Sequence, residues 1–229
     1  MAVDYNPAIV TDGLLLCVDA ANPKSYSGTG TTWFDVSGNG YDLTIYGSPT
    51  FNSSGYFTFA NNQTTQYMMR SSFANPTSAV TYSCWFRTTF LQDIQTPFTY
   101  SVAGNNEMLF YITNNTTLTP HPLGVATNVT TSSMTNVWVN FAWSRLSSTG
   151  ENFFYRDGTQ VGQYTGNAGT NITTGGYLII GQESDSAGGG FDPNQNLDGD
   201  FARIDVYSRV LSAAEIKENF NAIKGRFAL

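Results

Sequence analysis

Short segments in which hydrophobic and polar residues alternate recur along most of the chain. This period of two is the pattern of a β-strand that buries one of its faces, and the aromatic and β-branched residues in the segments favour strands. Turn-forming clusters separate them, and the pair Asp157-Gly158 predicts a tight hairpin. The clearest segments span residues 56–59, 80–87, 108–112, 138–143, 152–156 and 201–207. The pattern predicts an antiparallel β-sandwich.

One segment near the C-terminus has the spacing of an α-helix instead. Ser212 followed by Glu215 forms a capping box, in which each side chain bonds to the backbone N–H of the other residue. The apolar residues Ile216, Phe220 and Ile223 then fall on one helical face. The sequence therefore predicts one short helix packed on the sandwich.

Composition narrows the classes of protein to which the chain can belong. No internal repeat or linker interrupts the sequence, and we interpret residues 1–229 as one domain. The net charge is −7 and the ten basic residues form no run, so nucleic acid is not an expected partner. No apolar run has the length of a membrane span, and the first residues lack the features of a signal peptide. We therefore expect no membrane partner and synthesis in a cytoplasm without a signal peptide.

The two cysteines, Cys17 and Cys84, both lie in apolar, strand-like contexts. Buried free thiols behave as small hydrophobic side chains, and we favour this interpretation. A disulfide between the two residues remains an alternative, because the sequence does not fix their pairing.

The most distinctive chemistry lies in residues 181–195, a Gly-rich segment that follows an apolar run. Three carboxylates and several amide side chains are concentrated there. Calcium takes six to eight oxygen ligands in irregular geometry, whereas neighbouring carboxylates without a cation repel one another. The segment therefore predicts a calcium site. We do not count Asp198 and Asp200 among its ligands and interpret them as solvated turn residues or N–H acceptors.

Several segments from about Gly55 onward resemble the pentraxin family. They span residues 82–86, 97–109, 181–200 and 210–216.

The first fifty residues resemble a different group. Residues 13–23 and 33–40 are similar to the openings of laminin-G-like, concanavalin A-like jelly rolls, of the kind carried by structural proteins of tailed bacteriophages. Both resemblances imply the same fold class, an all-β, two-sheet antiparallel jelly-roll sandwich with one short C-terminal α-helix.

The pentraxin resemblance implies a site for one or two calcium ions. Glu183 and Asp185 would be shared between the ions, and Asn105 stands where the family usually has Asp, which should weaken binding. The second cysteine of the family would fall near Asn140, in residues 138–143, where no cysteine is present, so the family disulfide cannot form here. The implied ligands are Asn105, Asn106, Glu183, the carbonyl of Ser184, Asp185, Asp192 and Gln195.

The sequence does not predict an enzyme. The Glu-x-Asp-x-x-Glu signature of concanavalin A-like glucanases is absent, and the carboxylates of residues 183–185 already belong to the predicted calcium loop. His121 lies between two prolines without a companion at metal-ligand spacing, and no nucleophile-elbow serine accompanies it. We expect His121 to be an exposed loop residue.

Two functional hypotheses from different classes follow, with a third less favoured. The first is a non-enzymatic virion structural protein, a capsid decoration or a fibre or appendage module on the virion surface, which contacts other virion proteins and forms an oligomer. The alternative is a calcium-dependent lectin for glycans, such as those of a host surface, or for phospho-ligands. Aromatic residues beside Gly- and Asn-rich loops could stack on sugars; the candidates are Phe191, Trp33 and Tyr41, together with Tyr46. A glycan hydrolase is the least favoured.

Overall fold

The computed structural model of the chain describes residues 8–88 and 94–228. Within them, two antiparallel sheets of eight strands face one another and one short helix follows the last strand, which confirms the predicted fold class. The strands are β1 (Leu14–Asp19), β2 (Thr32–Trp33), β3 (Leu43–Tyr46), β4 (Thr50–Asn52), β5 (Tyr56–Phe59), β6 (Tyr67–Phe73), β7 (Ala79–Thr88), β8 (Gln95–Val102), β9 (Asn105–Asn114), β10 (Thr117–Pro122), β11 (Val129–Thr130), β12 (Val139–Leu146), β13 (Glu151–Arg156), β14 (Thr159–Thr165), β15 (Gly176–Ile180) and β16 (Gly199–Tyr207), and the helix is α1 (Ala213–Ile223).

Strands that are distant in sequence are neighbours in both sheets. The first sheet has the order β14-β13-β12-β7-β16-β5-β4, with β1 also paired to β16, and the second has the order β11-β10-β9-β8-β15-β6-β3-β2. In the second sheet, β15 lies between β6 and β8. The segment that follows β15 therefore emerges beside the β8–β9 hairpin, although about eighty residues separate them in the sequence.

Aromatic rings fill the core between the sheets. Phe110 of the second sheet stacks on Phe141 of the first with ring centroids 3.9 Å apart, and Tyr82 stacks on Phe98 at 5.0 Å. All four residues are fully buried. Each such side chain stabilises the fold by roughly 1.5–3 kcal/mol relative to an exposed one, so cross-sheet ring contacts join the two layers.

The helix covers the outer face of the first sheet. Its capping box is present as predicted, because the Ser212 hydroxyl accepts from the Glu215 N–H at 3.3 Å and the Ser212 N–H donates to Glu215 Oε2 at 2.8 Å. Ile216 is buried beneath the helix, and the Phe220 ring stacks on Trp85 at 5.7 Å. Among the residues that the structure describes, no helix has both the length and the apolar character needed to cross a bilayer.

The two cysteines are free and buried, as expected. In the pairing with β16, Cys17 lies opposite Asp205 and Cys84 lies opposite Ile204. Adjacent residues of a strand point to opposite faces of its sheet, so the two thiols lie on opposite faces. This geometry excludes the disulfide alternative.

Candidate functional site

Residues 181–198 connect β15 of the second sheet to β16 of the first. This connection, which we call the acidic loop, contains the predicted calcium segment, residues 181–195. The β8–β9 turn lies against this acidic loop. Gly104 of the turn has a φ of +84°, and a Cβ atom at this position would lie 2.9 Å from the carbonyl oxygen of Asp185. Glycine is therefore required for the turn to approach the loop so closely.

Glu183 is the most buried carboxylate of the acidic loop, with 2% of its surface exposed. Its Oε1 accepts a hydrogen bond from Asn106 Nδ2 at 2.7 Å, whereas its Oε2 has no hydrogen-bond partner among the described residues. Burial raises the pKa of Glu183, the hydrogen bond from Asn106 lowers it, and the charges of Asp185 and Asp192 raise it. A buried carboxylate oxygen without a partner is costly unless a proton or a cation neutralises it.

Tyr111 of β9 is affected by the negative charges of three carboxylates of the acidic loop. Its hydroxyl donates to Gln195 Oε1 at 2.5 Å. Burial raises the pKa of Tyr111, and the negative charges of Glu183, Asp185 and Asp192 raise it further. The charges of all three carboxylates therefore act on one residue of β9.

The other predicted ligands shape the acidic loop or border it. The buried Ser184 hydroxyl donates to the carbonyl oxygen of Ser186 at 2.6 Å and lies 3.1 Å from that of Gly189, so it holds the bend of the loop. Asp192 Oδ2 accepts from Gln195 Nε2 at 3.4 Å, and Asp185 is exposed. Asn105 begins β9, but its side chain lies outside what the structure describes.

The donors in the acidic loop suit an oxygen-bound cation, but they do not form a closed cage of charged ligands. Within residues 8–88 and 94–228, no group of three His, Cys, Asp or Glu side chains is placed to hold a metal ion. Carboxylate, amide and carbonyl oxygens are nevertheless the ligands that calcium prefers. Asn106 presents its Nδ2 to Glu183 while its Oδ1 accepts from Thr99 at 3.2 Å. The Asn106 amide would therefore have to turn for its oxygen to bind a cation.

Trp33 corrects one of our expectations. It is 0% exposed, and its ring contacts Phe57 with centroids 5.1 Å apart. The expectation that Trp33 stacks on a ligand is wrong, because the strand that carries it places the indole in the core.

Tyr41 is half-buried. Its ring packs edge-on against Phe73 at 5.1 Å and lies beneath the Arg70 guanidinium, and neither of these contacts involves the acidic loop.

Phe191 is the predicted aromatic residue that the structure places in the loop itself. Its ring contacts Tyr67 of β6 at 4.6 Å, and Tyr67 in turn stacks on Tyr46 of β3 at 4.5 Å. Tyr46 was predicted from the sequence, whereas Tyr67 was not. The only signal for Tyr67 was its place in a strand, and nothing in the sequence shows that this strand lies beside the loop.

The expectation for His121 was wrong, and the expectation for Asp200 was wrong in part. His121 is a half-buried residue of β10, not an exposed loop residue, and its ring lies edge-on to Tyr111 at 5.0 Å; burial lowers the pKa of His121. Asp200 is not a solvated turn residue but a buried strand residue, 2% exposed, that forms an ion pair with Arg87 at 2.6 Å. The alternative interpretation, an N–H acceptor, is confirmed, because the Arg87 Nε–H donates to Asp200 Oδ2 at 2.7 Å. The sequence did not show that Asp200 is buried, because its partner Arg87 lies more than a hundred residues away in the chain.

Sequence comparison finds matches over most of the chain. The family model described as "Pentaxin family" matches residues 55–225. Human neuronal pentraxin-1 is 30% identical over 145 residues, which are 60% of this chain and 32% of that protein. C-reactive protein of Danio rerio is 35% identical over 88 residues, 37% of this chain and 38% of that protein. A Rattus norvegicus protein named for its sushi, von Willebrand factor type A, EGF and pentraxin domains is 28% identical over 141 residues, 61% of this chain and 4% of that protein. The chain thus spans well under half the length of these relatives.

Solved structures agree on the fold. The heptameric SAP-like pentraxin of Limulus polyphemus has a TM-score of 0.61 at 19% identity and covers 71% of this chain and 79% of that chain. The receptor binding domain of botulinum neurotoxin C/D mosaic serotype has a TM-score of 0.69 at 11% identity and covers 93% of this chain and 52% of that chain. At these identities the likeness establishes the fold alone.

Proposed function

The chain belongs to the Pentaxin family, and on this premise we propose that it is a non-enzymatic binding module whose acidic loop holds calcium in order to bind a ligand. The observation that carries the proposal is Glu183, which is 2% exposed and whose Oε2 has no partner among the described residues. Asp185 and Asp192 add negative charge around it. A divalent cation would neutralise this charge, and the oxygen donors present are of the kind that calcium takes.

Each side chain of the acidic loop has a distinct part in this proposal. Glu183 and Asp185 supply the charge, and Asn106 and Gln195 supply neutral amide oxygens. Tyr111 orients Gln195 through the hydrogen bond at 2.5 Å. Bound calcium would offer its remaining coordination positions to oxygens of the ligand.

Calorimetric titration with calcium chloride tests the proposal. We expect the parent protein to bind one or two ions in a saturable manner, and Asp185→Asn to bind about tenfold more weakly, because the number of charged ligands tunes calcium affinity. Asp12→Asn is the matched control, since the Asp12 side chain is 86% exposed and lies outside the loop. A parent protein without saturable binding, or a D185N variant with the affinity of the parent, would contradict the assignment.

We further propose that the chain acts as an oligomer. The support is its fold, which it shares with a heptameric pentraxin. Linked copies of one site raise the overall affinity for a repetitive ligand by two to four orders of magnitude, roughly. Light scattering after size-exclusion chromatography should give a mass that is a multiple of 25.0 kDa, and a monomer at micromolar concentration would count against this proposal.

The setting that we propose is the surface of a phage virion, where the chain would be a capsid decoration or appendage module bound to other virion proteins. The similarity of residues 13–23 and 33–40 to domain openings carried by phage structural proteins supports it. Two free, buried thiols suit a protein that folds in a reducing cytoplasm. Purified particles should contain the chain at a fixed stoichiometry that sugars do not displace, and particles without the chain would refute this setting.

A further inference from the structure

An aromatic row extends from the acidic loop across the outer face of the second sheet. It consists of Tyr46, Tyr67 and Phe191, all of which are half-buried. Tyr46 and Tyr67 are directly paired across β3 and β6, and their rings stack with centroids 4.5 Å apart and planes 15° apart. Phe191 continues the row, 4.6 Å from Tyr67. The adjacent strand residues Ile45 and Met68 point into the core, so the two tyrosines point outward.

Both tyrosine hydroxyls are available to a ligand. Neither the Tyr46 nor the Tyr67 hydroxyl bonds to another described residue, and neither is among the buried polar atoms without a partner. Each hydroxyl can both donate and accept a hydrogen bond. The row therefore combines apolar ring surface with hydroxyl groups that no described residue satisfies.

The aromatic row is continuous with the acidic loop. Phe191 directly precedes Asp192, one of the three carboxylates whose charges act on Tyr111. The same loop lies on the sheet at Gly188, where a Cβ atom would be 2.7 Å from the Tyr177 ring. A ligand that reached the cation through its oxygens could therefore continue onto the tyrosine rings without leaving the surface.

We infer that the aromatic row is a subsite for a neutral oligosaccharide, whose first sugar meets the cation of the proposed function and whose following ring packs on Tyr67 and Tyr46. Sugars have apolar C–H faces and a rim of hydroxyls, which match amphipathic rings with free phenol groups. The row itself contains no Lys or Arg, and the loop beside it carries three carboxylates. A purely anionic phosphate group would gain nothing from the row, because the row offers no cation to pair with it. On this ground we argue the glycan of our two original alternatives, and binding of phosphorylated headgroups is an outcome of the test.

A purely structural role for the tyrosine pair makes a different prediction. Cross-strand aromatic pairs stabilise sheets through their rings, and Tyr→Phe substitutions retain the rings. The double variant Tyr46→Phe/Tyr67→Phe should therefore fold as the parent does and lose only the two hydroxyls. Tyr56→Phe is the matched control, because Tyr56 is a half-buried tyrosine of the opposite sheet that packs against Trp138.

The full chain is tested for binding to a printed array of neutral monosaccharides, neutral oligosaccharides and phosphorylated headgroups, once with calcium and once with chelator. The calcium affinity of the parent and of each variant is measured separately by titration. We expect the parent to prefer oligosaccharides over monosaccharides, and the double variant to bind them about tenfold more weakly, since two hydrogen bonds are lost. Its calcium affinity should equal that of the parent, and Tyr56→Phe should match the parent throughout.

Two results would overturn the subsite. The first is a double variant that binds the oligosaccharides as tightly as the parent does. The second is a parent protein that binds no saccharide, with or without calcium, whether or not it binds phosphorylated headgroups. Failure of the proposed function is distinguishable, because it would appear in the calcium titration of the parent, whereas failure of the subsite appears in the comparison of saccharides.

Discussion

Replacing Glu183 by glutamine should change stability in opposite directions with and without calcium. The substitution keeps the size of the side chain and an oxygen that can accept from Asn106, but it removes a negative charge that is 2% exposed. Burial raises the pKa of Glu183 in the folded protein above its value in the unfolded chain. Its contribution to stability is then present below the unfolded pKa and is lost as the pH rises through the folded pKa. At pH 7 in chelator, Glu183→Gln should be at least as stable as the parent.

Calcium should reverse this order. A ligand at a hundred times its dissociation constant stabilises the folded state by about 2.7 kcal/mol. For a chain of this size, 1 kcal/mol moves the melting temperature by roughly 2–4 °C, so the parent should gain about 5–10 °C. Glu183→Gln should gain little, because it lacks the buried charged oxygen that we assign to the ion.

Thermal unfolding at pH 7, in chelator and in saturating calcium, measures both effects. Asp12→Asn serves as the control and should respond to calcium as the parent does, because its side chain is exposed outside the acidic loop. An equal calcium shift in parent and Glu183→Gln would refute the ligand assignment. A variant clearly less stable than the parent in chelator would refute the reasoning about the buried charge.

Three other expectations concern the scaffold. Ser212→Ala should lower the free energy of unfolding by about 1 kcal/mol in urea denaturation by removing the helix cap, and an unchanged midpoint would contradict the role of the capping box. The Arg209 guanidinium and then the Ser212 backbone N–H lower the pKa of Glu215 to about 2. The contribution of Glu215 to the stability of the fold is therefore present above its unfolded pKa and is lost as the pH falls toward 2. Parent stability should therefore decline more steeply between about pH 4.5 and 2 than that of Glu215→Gln, and parallel curves would argue against the ion pair. Burial raises the thiol pKa of both Cys17 and Cys84, so a thiol reagent should modify them only after unfolding; rapid labelling of the native protein would contradict their placement.

Local patterns predicted much of this fold. The alternation of apolar and polar residues identified most of the long strands, although β7, β12 and β16 are buried on both faces and not on one. The capping box located the start of the helix, since Ser212 and Glu215 satisfy each other's backbone groups within four residues. These features depend on neighbours in the chain, which a sequence displays directly.

What the sequence could not predict depends on distant partners. Asp200 looked like a turn residue because its ion-pair partner Arg87 lies on another strand. Trp33 looked exposed beside a Gly-rich loop, yet its strand lies over the core. The acidic loop was predicted from its composition, whereas its contact with Tyr67 arises from the pairing of β15 with β6. Sheet order is a non-local property, and it decides which side chains share a site.

A crystal structure of the chain grown with calcium tests the central claim most directly. The account predicts an ion with oxygen ligands at about 2.3–2.6 Å that include Glu183 Oε2 and Asp185, with the Asn106 oxygen turned toward it. Carboxylates that instead point apart into solvent, with no ion between them at saturating calcium, would contradict it.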